Sequence, residues 1–177
     1  VGHDVRAAIE MSQVRHVLAS QLTSSGDPVA ALARTDEYLC NRASNIMATA
    51  LVAAFGRDGT VSLASAGHPP PVISSADGVT RLPNPGLGPP LGTGIGGFSA
   101  RSEPMERGDV FVAYTDGVVE TRDATVDAGI TALRAHLSEA MNGGDAGPDA
   151  VVAMLQELVD TPWRIDDAAA VIVRAVE

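Results

Sequence analysis

The sequence predicts an α+β fold built on antiparallel sheet, and three observations predict it. Helical periodicity marks the start of the chain and the stretch before its closing strand. The middle carries short apolar runs of strand character, joined by Asp-Gly turns rather than by crossover helices. The order is therefore helix, helix, several strands, helix, helix, strand, without the regular alternation of βαβ units.

The first helix is expected from Val5 to Leu22, where Met11, Val14, Leu18 and Leu22 make an apolar stripe at helical spacing. Ser24-Ser25-Gly26 ends it. Asp27 is placed to N-cap a second helix, with Pro28 at its first position. Val29, Leu32, Ala33, Leu39 and Cys40 are its expected buried face, Cys40 acting as a small hydrophobe. From Met47 to Phe55 the chain is apolar on both faces, as in a central strand. Asp58-Gly59 makes a hairpin into Thr60 to Ala66, with Val61 and Leu63 on one face. Pro69-Pro70-Pro71 interrupts the sheet, and Val72 and Ile73 resume it up to the turn at Asp77-Gly78. Leu82 to Gly97, rich in Gly and Pro, reads as an ordered surface loop. Asp109 to Tyr114 is a strand. Ile130 to Met141 is a helix, and Pro148 begins another, with Val151, Leu155, Leu158 and Val159 on one face. Ala168 to Val173 closes the chain as a strand.

Composition narrows the function classes. The chain has 177 residues, which fits one domain, and an apolar fraction of 45%, enough for a sizeable core built from Ala, Val, Leu and Ile. Aromatics are only 3%, so there is no base-stacking surface. Lys+Arg 12 against Asp+Glu 22 gives a net charge of −10, which repels nucleic acid and anionic membranes. One cysteine excludes an intrachain disulfide. No apolar run approaches the ~18 residues of a membrane span, and the opening residues have no signal-peptide pattern. The expectation is a piece of a soluble cytoplasmic protein, occupying residues 1–177 as one domain.

Two acidic sites stand out. Asp116 follows an apolar strand and precedes Gly117; Asp166 and Asp167 precede another apolar strand. If those strands are antiparallel neighbours, the acidic sites meet at one edge of the core. Clustered carboxylates need a proton or a cation between them, and hard divalent cations prefer oxygen ligands. A metal site is one reading. An ordinary Asp-Gly turn and a solvated Asp-Asp loop are the other.

Four segments in order then carry a family resemblance. Gly2-His3-Asp4 resembles the Gly-His-Gly segment of bacterial PPM phosphatases. Ala66-Gly67-His68-Pro69-Pro70-Pro71 resembles their Asn-Ala-Gly-His-Pro-Pro. Gly108-Asp109-Val110, running on to Tyr114-Thr115-Asp116-Gly117-Val118-Val119-Glu120, resembles "GDxxxxYTDGxxE". Asp166-Asp167 with Val173-Arg174 resembles the closing "DDxxxxxxR". The chain is thus similar to the sporulation and stress-response serine/threonine phosphatases.

The resemblance implies an antiparallel β-sandwich flanked by helices, in α-β-β-α layers. It also implies phosphoserine or phosphothreonine hydrolysis by water that a dinuclear Mn²⁺ or Mg²⁺ centre activates. Asp116 and Asp166 match metal ligands with a catalytic role, and Asp167 is the adjoining metal candidate. The implied substrate is a phosphorylated anti-sigma-factor antagonist, and the implied parent chain is fused to sensor or kinase domains. Two departures qualify this. The family's upstream Gly-Asp strand lies before Val1, so an N-terminally truncated domain is expected. Asp4 also stands where the family has Gly. The alternative is a non-catalytic regulatory or docking module with the same fold and an incomplete metal centre. His68 is read as a structural hydrogen-bonding residue, Glu120 as structural, and His16 and His136 as surface positions on helices.

Overall fold

A computed structural model describes residues 5–42, 46–120, 125–142, 147–160 and 167–176. The chain forms two compact units. One comprises Val1–His68 with Asn84–Pro104, and the other Pro69–Pro83 with Met105–Glu177. Mixed helices and antiparallel sheets, as expected, build both.

In the first unit, α1 (Val5–Ser25) packs on α2 (Pro28–Cys40), and α2 covers a sheet of β1 (Ala50–Phe55), β2 (Thr60–Ala66) and β5 (Ala100–Pro104) in the order β1-β2-β5. Gly26 ends α1 with φ +65, a conformation that Gly adopts without steric cost. Asp27 caps α2 through a 2.9 Å bond from the Val29 N–H, with Pro28 in the first turn. Val14, Leu32, Leu39, Val52, Ala64, Ala66 and Leu91 form the core. The β1–β2 hairpin turns at Asp58-Gly59, where the Asp58 carboxylate accepts from the Thr60 hydroxyl at 2.8 Å.

Several expectations change here. β1 is an edge strand, and β2 is the central one. A continuous apolar run cannot distinguish the two. The buried face of α2 is Pro28, Ala31, Leu32, Thr35, Asp36 and Leu39. Ala33 and Cys40 are exposed, because the helix is rotated to bury two polar residues with partners. Met11 is 53% exposed and drops out of the α1 stripe. β5 has no apolar alternation to betray it and pairs by backbone alone along β2. The loop 82–97 is not all surface: Leu91 is 0% exposed, and its backbone exchanges bonds with Ala48 at 2.8 and 3.2 Å.

In the second unit, β3 (Val72–Ser74), β4 (Thr80–Arg81), β6 (Val110–Tyr114) and β7 (Ala170–Arg174) form a sheet in the order β4-β3-β6-β7. Every pairing is antiparallel. α3 (Val126–Asn142) packs on β3 and β4, and α4 (Pro148–Val159) on β7. Val72, Val110, Val112, Leu133, Leu137, Val151 and Leu155 fill the core between them. The buried Asp109 carboxylate accepts from the Arg81 guanidinium of β4 at 3.0 Å and from the Glu106 N–H at 3.2 Å. That fixes the turn entering β6.

Candidate metal centre

Asp116 stands just past the end of β6. Thr115 is extended, with φ −78 and ψ 158, and the chain then makes one turn of 3-10 helix, Asp116–Val118. The Val118 N–H donates to the Thr115 carbonyl at 2.9 Å. The Val119 and Glu120 N–H groups donate to the Asp116 carbonyl at 2.9 and 2.7 Å. The Glu120 backbone therefore continues the turn.

Val118 and Val119 insert into the core and anchor this turn. α3 presses on it so closely that a Cβ at Gly129 would lie 1.9 Å from the Val119 carbonyl oxygen. Tyr114, just before the turn, is buried, and burial pushes its hydroxyl up to about 12, so it is neutral at physiological pH. On this rigid base the Asp116 side chain is exposed to solvent. One of its carboxylate oxygens accepts from the Gly117 N–H at 2.9 Å, which limits its rotation.

β7 runs antiparallel to β6, with Tyr114 opposite Ala170. The start of β7 therefore lies beside the end of β6. Asp167 is exposed there. The Thr115 N–H donates to the Ala169 carbonyl at 2.9 Å, and the Ala169 N–H donates to the Thr115 hydroxyl at 2.9 Å. The same hydroxyl lies 3.2 Å from the Asp167 carbonyl and 3.4 Å from that of Ala169. The structure thus brings Asp116 and the Asp167 segment to one edge of one sheet. Asp166 lies outside the described residues, as do His3, Asp4 and Trp163.

Exposed carboxylates on an anchored strand edge are hard oxygen donors, the donor set that suits Mg²⁺ or Mn²⁺. Among the described residues, no three His, Cys, Asp or Glu side chains group closely enough to hold an ion by themselves. The described residues fit part of such a site.

His68 belongs to the first unit, at the turn after β2. The Ser65 hydroxyl donates to its carbonyl at 3.0 Å and accepts from its N–H at 3.2 Å. Thr49 Oγ1 lies 3.3 Å from its Nδ1. These contacts fit the structural role expected. His16 and His136 are exposed on their helices. Sequence reasoning missed two polar anchors. One is Thr115, hidden beside the more conspicuous Asp116. The other is Asp36, whose buried carboxylate accepts from the Gly92 and Gly94 N–H groups at 2.6 and 3.3 Å. An Asp at a core-facing phase of α2 is the signal that could have revealed it.

Residues 1–176 match the family model described as Stage II sporulation protein E (SpoIIE). The chain belongs to the SpoIIE family. Among solved structures, this SpoIIE-family chain is similar to the RsbU and RsbW domains of Rv1364c from Mycobacterium tuberculosis. That match has 30% identity and a TM-score of 0.87, covering 99% of this chain and 51% of the other. The chain thus spans about half the length of that relative. It shares its fold with the PP2C phosphatase domain and regulatory-domain fragment of SpoIIE from Bacillus subtilis. There the identity is 19% and the TM-score 0.79, covering 99% and 51% of the two chains. It also shares its fold with RsbX, solved in complex with magnesium, at 17% identity and a TM-score of 0.61, covering 90% and 71%. By family it is a SpoIIE chain, and its fold is that of the PP2C phosphatase domain. Among the described residues no helix is long and apolar enough to cross a membrane.

Proposed function

We propose that this domain hydrolyses phosphoserine or phosphothreonine on a protein substrate, with Asp116 and Asp166 as ligands to Mn²⁺ or Mg²⁺ and Asp167 adjoining them. The observation that carries the reading is the placement of Asp116. It is an exposed carboxylate on a core-anchored turn, beside the start of the antiparallel strand that the Asp166-Asp167 pair leads into. The sequence resemblance supports this donor set, and the magnesium in the RsbX structure supports the choice of cation.

The metals, when bound, supply an activated water and neutralise charge on the phosphoryl oxygens. The chain's own residues hold and orient. Asp116 and the Asp167 segment offer oxygen donors from two adjacent strands. The 3-10 turn fixes the Asp116 backbone through the Val119 and Glu120 N–H groups on its carbonyl. A net charge of −10 disfavours a phosphate ester on this surface until cations compensate it.

The substrate we propose is a phosphorylated anti-sigma-factor antagonist. The parent protein is a cytoplasmic signalling chain in which residues 1–177 belong to the phosphatase domain, fused to sensor or kinase domains. The Mycobacterium tuberculosis relative, which carries RsbU and RsbW domains in one chain, supports that arrangement.

The test is hydrolysis of p-nitrophenyl phosphate and of a serine-phosphorylated antagonist, with and without Mn²⁺, alongside direct Mn²⁺ titration. Asp116→Asn and Asp166→Asn should each abolish turnover and weaken Mn²⁺ binding. Unchanged Mn²⁺ affinity in both variants would sink the site assignment. Metal-independent turnover would sink the mechanism.

A further inference from the structure

We propose that Thr115 is a positioning residue for the metal centre, its hydroxyl holding the acidic segment at the start of β7 beside Asp116. This rests on the metal-site reading above.

Thr115 and Ala169 extend the β6–β7 ladder by one pair. Tyr114 pairs with Ala170, so the next pair along is Thr115 with Ala169. An antiparallel hydrogen-bonded pair exchanges two backbone bonds. Here only one is made, from the Thr115 N–H to the Ala169 carbonyl at 2.9 Å. The Thr115 carbonyl is instead engaged by the Val118 N–H at 2.9 Å, in the bond that closes the turn presenting Asp116. The sharp turn and the completed ladder compete for one carbonyl.

The side chain resolves the conflict. The Thr115 hydroxyl accepts the Ala169 N–H at 2.9 Å, taking the place of the missing backbone acceptor. A hydroxyl also has one proton to give. The Asp167 carbonyl at 3.2 Å and the Ala169 carbonyl at 3.4 Å are its acceptors. One short side chain therefore does two things. It lets the chain turn at Asp116, and it keeps the partner strand attached as far as Asp167. Without the hydroxyl, the Asp167 carbonyl loses this donor and the Ala169 N–H loses its acceptor, leaving the Thr115 N–H to Ala169 carbonyl bond to hold the start of β7 to the end of β6. The carboxylates would then have to be ordered by the ion itself, and affinity would fall. Partners that orient metal ligands commonly matter at this level.

The experiment is Mn²⁺ titration by calorimetry into the metal-free protein, comparing the parent with Thr115→Val, Thr115→Ser and Asp116→Asn. Thr115→Val, close in shape but without the hydroxyl, should bind Mn²⁺ about 10-fold more weakly. Thr115→Ser should bind like the parent. A readout independent of metal is amide exchange in the metal-free state. The Ala169 amide should lose protection in Thr115→Val, while the Val118 amide keeps it. Should Thr115→Val fail to fold, Thr115→Ala removes the same hydroxyl and carries the same test. Parent-like Mn²⁺ affinity in Thr115→Val, with binding weakened in Asp116→Asn, would overturn the positioning role and leave the metal site standing. A Ser variant as weak as the Val variant would overturn it too, since the hydroxyl would not be the cause. If Asp116→Asn binds like the parent, the metal-site reading itself is wrong and the proposal falls with it.

Discussion

Asp36 offers a quantitative test of how the first unit is held together. Its carboxylate is 4% exposed and accepts from the Gly92 N–H at 2.6 Å and the Gly94 N–H at 3.3 Å. These are the bonds by which α2 holds the loop 82–97, whose Leu91 is fully buried in the core. Asp36→Ala leaves both N–H groups without that acceptor. An orphaned donor costs about 1–3 kcal/mol, and the longer bond sits at the low end of that range. Relief from burying a charge offsets part of the loss. The net expectation is a destabilisation of about 3 kcal/mol. For a chain of this length each kcal/mol lowers Tm by about 2–4 °C, so the melting point should fall by roughly 6–12 °C. Asp36→Asn keeps an acceptor oxygen and should cost about 1 kcal/mol, the difference between a charged and a neutral acceptor. Thermal unfolding followed by circular dichroism reads both values. If Asp36→Ala lies within about 1 kcal/mol of the parent, the carboxylate does not hold the loop and the reasoning is refuted.

Two further outcomes follow from the same geometry. Asp109→Ala removes a carboxylate that is 3% exposed and leaves Arg81 without that partner. Because the Arg81 side chain is 34% exposed, water can take over part of the lost interaction. The cost should be about 2 kcal/mol rather than the ~3–5 of a fully buried pair. A urea titration should show that loss while Mn²⁺ affinity stays unchanged. The Asp58 carboxyl is held below its ordinary value of 3.8, first by the Thr60 hydroxyl and then by the Thr60 N–H. A lowered folded-state value stabilises the fold above 3.8, and the contribution is lost as pH falls below 3.8 through the folded-state value. A carbon-detected NMR titration of Asp58 should therefore find a midpoint below 3.8, and Thr60→Val should raise it. A midpoint that stays put would exclude the hydroxyl as the cause.

What could be read from the sequence was local and punctuated. Asp27-Pro28 announced the start of α2, Asp58-Gly59 the first hairpin, and Thr115-Asp116-Gly117 the end of β6. In each case one or two residues have a strong conformational preference that tertiary packing does not override. What could not be read depended on distant partners. The α2 face was assigned to apolar residues, yet Thr35 and Asp36 are buried on it. Thr35 donates to the Ala31 carbonyl at 2.7 Å, and Asp36 is satisfied by a loop more than fifty residues away in sequence. β5, Ala-Arg-Ser-Glu-Pro, has only Glu103 buried and offers no hydrophobic period. Its strand conformation comes from the backbone edge that β2 presents. The edge position of β1 was hidden because an apolar run reports burial and says nothing of strand order. At the candidate site, the strand-end position of Asp116 was legible. The contribution of Thr115 was not, because it follows from a competition for a backbone acceptor that only the folded ladder creates.

The Asp109 contact bears on how related sequences are sorted. The stretch from Gly108 to Glu120 reads as one signature, yet its two aspartates work in separate trades. Asp109 is tucked away against Arg81 and the turn before β6, so it serves the architecture. Asp116 faces outward, where the metal role proposed for it would need it. A descendant that abandoned catalysis would still need the first acid to fold and could discard the second. Screening genomes for the opening Gly-Asp alone would therefore collect retired copies together with working ones. On the metal role proposed here, the acid after Thr115 is the one that would tell them apart.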